Sequence, residues 1–84
     1  MRMNNTDLLK RIIIDPKVMV GKPVIKGTRL TVQYILKLLS NGESIDEILD
    51  EYDGLAKEDI LACLLFATEA LEQSSFYPLQ TKAV

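Results

Sequence analysis

The chain has 84 residues, a formal net charge of -2, one cysteine, and neither histidine nor tryptophan. So short a chain makes one domain and buries only about 60% of its unfolded surface. A composition 48% hydrophobic but 6% aromatic therefore implies an aliphatic core, part of it shared between subunits, and excludes a disulfide framework or a Cys/His zinc site.

Residues 1–10 are expected to fray, with a short helical turn at Asp7–Lys10. They carry no apolar signal-peptide core. No run reaches the roughly 18 apolar residues of a membrane span. A cytoplasmic location without membrane attachment is expected. Ile12-Ile13-Ile14 is β-branched and reads as a strand ended by Asp15-Pro16. Val18-Met19-Val20 and Val24-Ile25 are further extended candidates, and Lys22 is pushed toward extended geometry by Pro23. A small β-hairpin or β-arm results, which needs a helix or a second subunit to cover it.

Thr31 is a good N-cap for a first helix, with Val32, Ile35, Leu36 and Leu39 on one stripe. Gly42 supplies its left-handed stop. Ser44 with Glu47 forms a capping box for a second helix, whose inner face is Ile45, Ile48, Leu49 and Tyr52. Asp53-Gly54 breaks it. A third helix starts near Lys57 and runs to Gln73 or Ser74. The division is a flexible start at 1–10, a folded core at 11–74 and a flexible tail at 75–84, with Phe76-Tyr77-Pro78-Leu79 its sticky part. The fold class is mainly α, a β-arm followed by a three-helix, helix-turn-helix-like (homeodomain-like) domain.

The third helix is apolar all round at Ile60–Phe66, which a small monomer cannot bury. A homodimer is therefore expected, with Ile12, Ile14, Ile60, Leu61, Leu64 and Leu65 at its interface. The same helix opens with Lys57-Glu58-Asp59, whose acids would repel phosphate. It is a poor major-groove reader, although the helix spacing suits a helix-turn-helix.

Charge is divided along the chain. Residues 1–37 carry eight cations against Asp7 and Asp15, a balance of +6, and residues 38–84 carry Lys57 and Lys82 against ten acids, a balance of -8. The cations concentrate around Gly21-Lys22-Pro23-Val24-Ile25-Lys26-Gly27-Thr28-Arg29, where two glycines and a proline shape the backbone. Lys17, Lys22, Lys26 and Arg29 are the candidate residues for a partner or for nucleic acid. Arg29 has an alternative structural place, bonding its own turn or Asp15. Gly27 is expected at positive φ.

Catalysis has no visible constellation. Cys63 lies inside an apolar helix, and Ser40, Ser44, Thr28 and Thr31 lack a base. The acids Asp46, Glu47, Asp50 and Glu51 read as a solvated face, and the glycines lack phosphate-loop spacing. The chain is expected to be no enzyme and to need no cofactor or metal.

The basic block follows Arg11-Ile12-Ile13-Ile14-Asp15-Pro16. It precedes Ile35-Leu36-Lys37-Leu38-Leu39, Ser44-Ile45-Asp46-Glu47-Ile48-Leu49 and Glu58-Asp59-Ile60. In that order the chain resembles the domain-of-unknown-function 433 family, small prokaryotic helix-turn-helix-like proteins, often the antitoxin half of a toxin–antitoxin pair. The resemblance spans about residues 11 to 71. It implies an antitoxin of the type II class that neutralises a PIN-like nuclease toxin, with DNA binding for autoregulation. Arg29 and Lys22 would meet the toxin's carboxylates, with Phe76–Leu79 a second anchor. A stand-alone DNA-binding regulator and a structural dimerisation module are the other readings. In this pattern Ala56 stands where Thr is usual, and Asp53 where proline is common. Asp59 thus reads as half of a capping box without its partner, and packing of Leu55 is expected to hold that turn.

Overall fold

The computed structural model describes residues 4–73. Helix α1 (Asn5–Leu9) leads into strand β1 (Ile12–Ile13), a 3-10 turn (Met19–Gly21) and strand β2 (Val24–Ile25). Helices α2 (Val32–Ser40), α3 (Ile45–Glu51) and α4 (Lys57–Gln73) complete the order. The fold is mainly α with one two-stranded antiparallel sheet, as expected. Ile12 faces Ile25 and Ile13 faces Val24.

Three local signals act as read. Thr31 caps α2, its hydroxyl accepting from the Tyr34 N–H at 3.0 Å. Ser44 and Glu47 close their reciprocal box, at 3.1 and 2.7 Å. Gly42 ends α2 at φ 97, a region open to glycine.

The core is aliphatic: Ile25, Val32, Ile35, Leu38, Ile48, Ile60 and Cys63 form one buried cluster. Helix α4 is its axis, because α1, α2, α3 and β1 all pack on it. This changes the reading of the third helix. Its apolar girdle is divided between two jobs. Ile60, Ala62 and Cys63 are fully buried within the protomer, so Ile60 leaves the expected interface set. Leu61 and Leu65 are half-buried, and Leu64 and Leu71 are exposed.

The N-terminal segment also differs from expectation. The turn expected at Asp7–Lys10 is a helix from Asn5, because Asn4 caps it, its side chain accepting from the Asp7 N–H at 2.8 Å. Val18-Met19-Val20 is no strand, since Met19 and Val20 both have positive φ. The expected tail, with Phe76–Leu79, lies outside the described residues. Among those residues, no helix is long and apolar enough to cross a membrane.

Candidate functional site: the basic double turn

Two consecutive turns build the cationic face. The first occupies the loop between the strands. Asp15 opens it, with Pro16 at the next position, where a fixed φ suits a turn. The Val18 N–H donates to the Asp15 carbonyl at 2.8 Å, and the Lys17 N–H to Asp15 Oδ1 at 2.9 Å. The chain then runs through Met19, Val20 and Gly21 at φ 49, 57 and 79. The Gly21 and Lys22 N–H groups donate to the Val18 and Met19 carbonyls, both at 3.1 Å. Lys22 itself is extended, as its proline neighbour requires.

The second turn is Ile25-Lys26-Gly27-Thr28, closed by the Thr28 N–H to the Ile25 carbonyl at 3.0 Å. Gly27 has φ 84 at its third position, as expected. Thr28 is a brace: its hydroxyl donates to the Ile25 carbonyl at 2.8 Å and accepts from the Leu30 N–H at 3.0 Å. The Val32 N–H returns to the Pro23 carbonyl at 2.9 Å, tying the turn to the start of α2. Gly27 and Thr28 thus shape the turn, and Arg29 is displayed on it.

The predicted cations separate into two groups. Lys17, Lys22 and Arg29 are exposed and make no ion pair among the described residues. Neither structural place considered for Arg29 is taken: among the described residues its guanidinium has no hydrogen bond to its own turn and no ion pair with Asp15, whose Oδ1 accepts from the Lys17 N–H. Lys26 is exposed too, but it lines a cleft with Asp7, Lys10, Arg11, Gly54 and Asp59. The two carboxylates there are paired with Lys10 and Arg11, so Lys26 is the third cation of the cleft, set apart from the other three by place rather than by charge.

That cleft contains a pair that sequence reasoning missed. Arg11 Nη1 donates to Asp59 Oδ1 at 3.1 Å, joining the start of β1 to the start of α4. Asp59 Oδ2 accepts from the Ala56 N–H at 2.9 Å. The expectation that packing of Leu55 alone holds this turn is therefore corrected. The acidic half of a capping box needs only the backbone N–H of the cap residue, which alanine supplies. The available signal was a lone acid on the buried side of an apolar helix, which calls for a cationic partner.

Of the interface residues expected from sequence, Ile12 and Ile14 come together. They line a groove of about 390 Å³ with Leu9, Phe66, Glu69, Ala70 and Gln73. Ile14 has left the strand and is exposed.

Nucleophilic chemistry finds little support. The Cys63 thiol is buried, and desolvation followed by the Asp59 charge pushes its pKa up to about 12. Among the described residues, no cluster of His, Cys, Asp and Glu could hold a metal ion.

With this geometry in view, residues 12–67 match the protein family described as protein of unknown function (DUF433). The chain belongs to the DUF433 family. A similar solved structure is the crystal structure of a DUF433 member from Anabaena variabilis. It shares 31% identity, covers 81% of this chain and 67% of that one, and superposes with a TM-score of 0.71. An uncharacterized protein from Archaeoglobus fulgidus is 67% identical over 24 residues, which is 29% of this chain and 67% of that protein. The match to the DUF433 family includes both turns, the Arg11-adjacent strand and the core face of α4.

Proposed function

We propose that this DUF433 protein is a non-catalytic binding module, the antitoxin subunit of a type II toxin–antitoxin pair. Its partner is a nuclease toxin of the PIN-like kind, and it regulates its own expression by binding DNA. One observation carries the reading. Lys17, Lys22 and Arg29 project, exposed and unpaired among the described residues, from two turns fixed by backbone and hydroxyl hydrogen bonds. A rigid cationic surface loses little entropy when it meets an anionic one. The Arg29 fork suits a carboxylate in a metal-binding nuclease site. The buried, high-pKa thiol of Cys63 favours binding over covalent catalysis. Glu58 at the opening of α4 favours the turns over that helix as the contact with phosphate, while Asp59 beside it is buried and paired with Arg11.

The test is co-purification and growth rescue with the product of the adjacent reading frame. Wild-type chain is expected to co-purify with that nuclease and to restore growth. Arg29→Glu should weaken both while leaving the fold intact, because Arg29 is exposed and makes no side-chain hydrogen bond or ion pair among the described residues. Rescue unaffected by Arg29→Glu would discard the charge mechanism. A neighbour without nuclease activity would discard the antitoxin assignment.

A further inference from the structure

The tip of the first turn has a property that the fold does not explain. Val20 is 92% exposed, so it contributes no packing, yet it sits at φ 57. For a β-branched residue that conformation is an outlier. Met19, at φ 49, is 37% exposed beside it. The turn is held from below by the Gly21-to-Val18 and Lys22-to-Met19 hydrogen bonds. Its two legs lie close together, since a Cβ on Gly21 would stand 3.8 Å from Pro16 Cα. Lys17 and Lys22 therefore leave neighbouring legs, and the apolar tip stands between two exposed cations. Strain retained where it supports no packing points to function.

We propose that the Met19–Val20 tip is an apolar wedge that enters the minor groove of duplex DNA and opens a base step, while Lys17 and Lys22 engage the flanking phosphates. The proposal rests on the DNA-binding half of the function given above. Three observations favour a duplex over an acidic protein surface. Residues 15–30 contain three lysines and one arginine but no aromatic residue, whereas protein interfaces are depleted of lysine and anchored by aromatic residues. Isolated lysines suit a regular row of phosphates. A compact aliphatic group flanked by cations is the arrangement with which minor-groove proteins unstack and bend a duplex. The loop's one acid, Asp15, is engaged by the Lys17 N–H.

The experiment uses the full chain and end-labelled duplexes of mixed and A·T-rich sequence. Anisotropy reports binding, and energy transfer between the ends reports bending. Wild type should bind and bend the duplex. Its affinity should fall with salt at a log–log slope of about -2 to -3, from about 0.9 per phosphate neutralised by two or three cations. Val20→Gly should raise the melting temperature, because glycine relieves the strain. It should keep the salt slope, lose the bend, and bind roughly tenfold more weakly as the unstacked contact disappears. Lys17→Ala and Lys22→Ala should each reduce the slope by about 1. Three results would overturn the wedge: no bending by wild type, bending by Val20→Gly equal to wild type, or no gain in melting temperature for Val20→Gly. The rescue assay separates the two readings. If Val20→Gly still rescues growth but no longer bends DNA, both the wedge and the antitoxin assignment are supported. If it loses rescue but still bends DNA, the tip anchors a protein and the wedge is wrong.

Discussion

Asp59 makes the polar link of longest sequence separation among the described residues, 48 positions to Arg11. It is buried, and it receives the Arg11 guanidinium on one oxygen and the Ala56 N–H on the other. Asp59→Ala would leave both donors unpaired and should cost about 2–3 kcal/mol, since an orphaned charge in a partly buried site is expensive. Arg11→Ala should cost about as much, about 2 kcal/mol, because it strands the buried Asp59 carboxylate without its cation and leaves it the Ala56 N–H alone. Asp59→Asn should cost less than Asp59→Ala, keeping an acceptor for Ala56. Urea unfolding of the three variants checks the order; equal losses for Asp59→Asn and Asp59→Ala would show that the cap is worthless. Gly27 is a cleaner case. Nothing lies within 4 Å of a Cβ placed on it, but its φ is 84. Gly27→Val should therefore destabilise by more than about 1 kcal/mol through conformation alone, while Gly27→Asn is milder. Equal melting temperatures for the two variants would refute this. Gly27, Thr31 and Ser44 were legible in the sequence because each obeys a rule spanning three or four residues. The Arg11–Asp59 pair was not, because its partners are 48 residues apart and meet only in the folded chain.

Among the elements, the helices were legible and the loop between the strands was not. Amphipathic stripes and caps fix helices locally. The segment Val18–Val20 has strand-like residues, but the turn begun by Asp15-Pro16 and the bonds to Lys22 override that preference. Between α2 and α3 the tie is a pair of tyrosines. The rings of Tyr34 and Tyr52 meet edge to face, with centroids 6.1 Å apart, and their hydroxyls hydrogen-bond to each other. That bond, with smaller help from desolvation and nearby acids, raises the Tyr52 pKa from 10.0 to about 12. A raised folded-state pKa contributes stability that is complete below the unfolded value and lost as pH climbs through the folded one. Unfolding free energy should thus decline from about pH 10 to about pH 12. The buried Cys63 thiol, raised from 9.0 to about 12, adds a decline of the same sign that begins lower. Tyr34→Phe removes the partner, so its alkaline decline should be shallower than wild type. An identical pH profile for Tyr34→Phe would mean that the tyrosine bond contributes nothing to stability.

At the scale of the whole molecule, α4 serves two surfaces at once. Its core side carries Ile60 and Cys63, and its outer side carries Leu61, Leu64 and Leu71, spaced three and seven residues apart on one stripe with Thr68 between them. Thr68 gives its hydroxyl to the Leu64 carbonyl at 2.9 Å, so the stripe is not broken by an unsatisfied polar group there. Leu64 is 40% exposed and Leu71 61% exposed, and Ile14 adds 60% at the mouth of the apolar groove. So much exposed aliphatic surface on a small protomer is the reason to test the homodimer expected from the sequence. The sequence indicated that the helix was too apolar for a monomer. It did not indicate which residues faced outward, because leucine and isoleucine look alike in a pattern apolar on every side. The exposures now separate them. Leu64→Glu with Leu71→Glu should halve the mass seen by light scattering while leaving the helical circular dichroism unchanged, since neither side chain holds the protomer core. Ile60→Glu should instead unfold the chain, because it places an unpaired charge in the core. A monomeric mass for the unmodified protein at micromolar concentration would remove the dimer. Unfolding by the Leu64→Glu, Leu71→Glu pair would mean that the outer stripe belongs to the protomer after all.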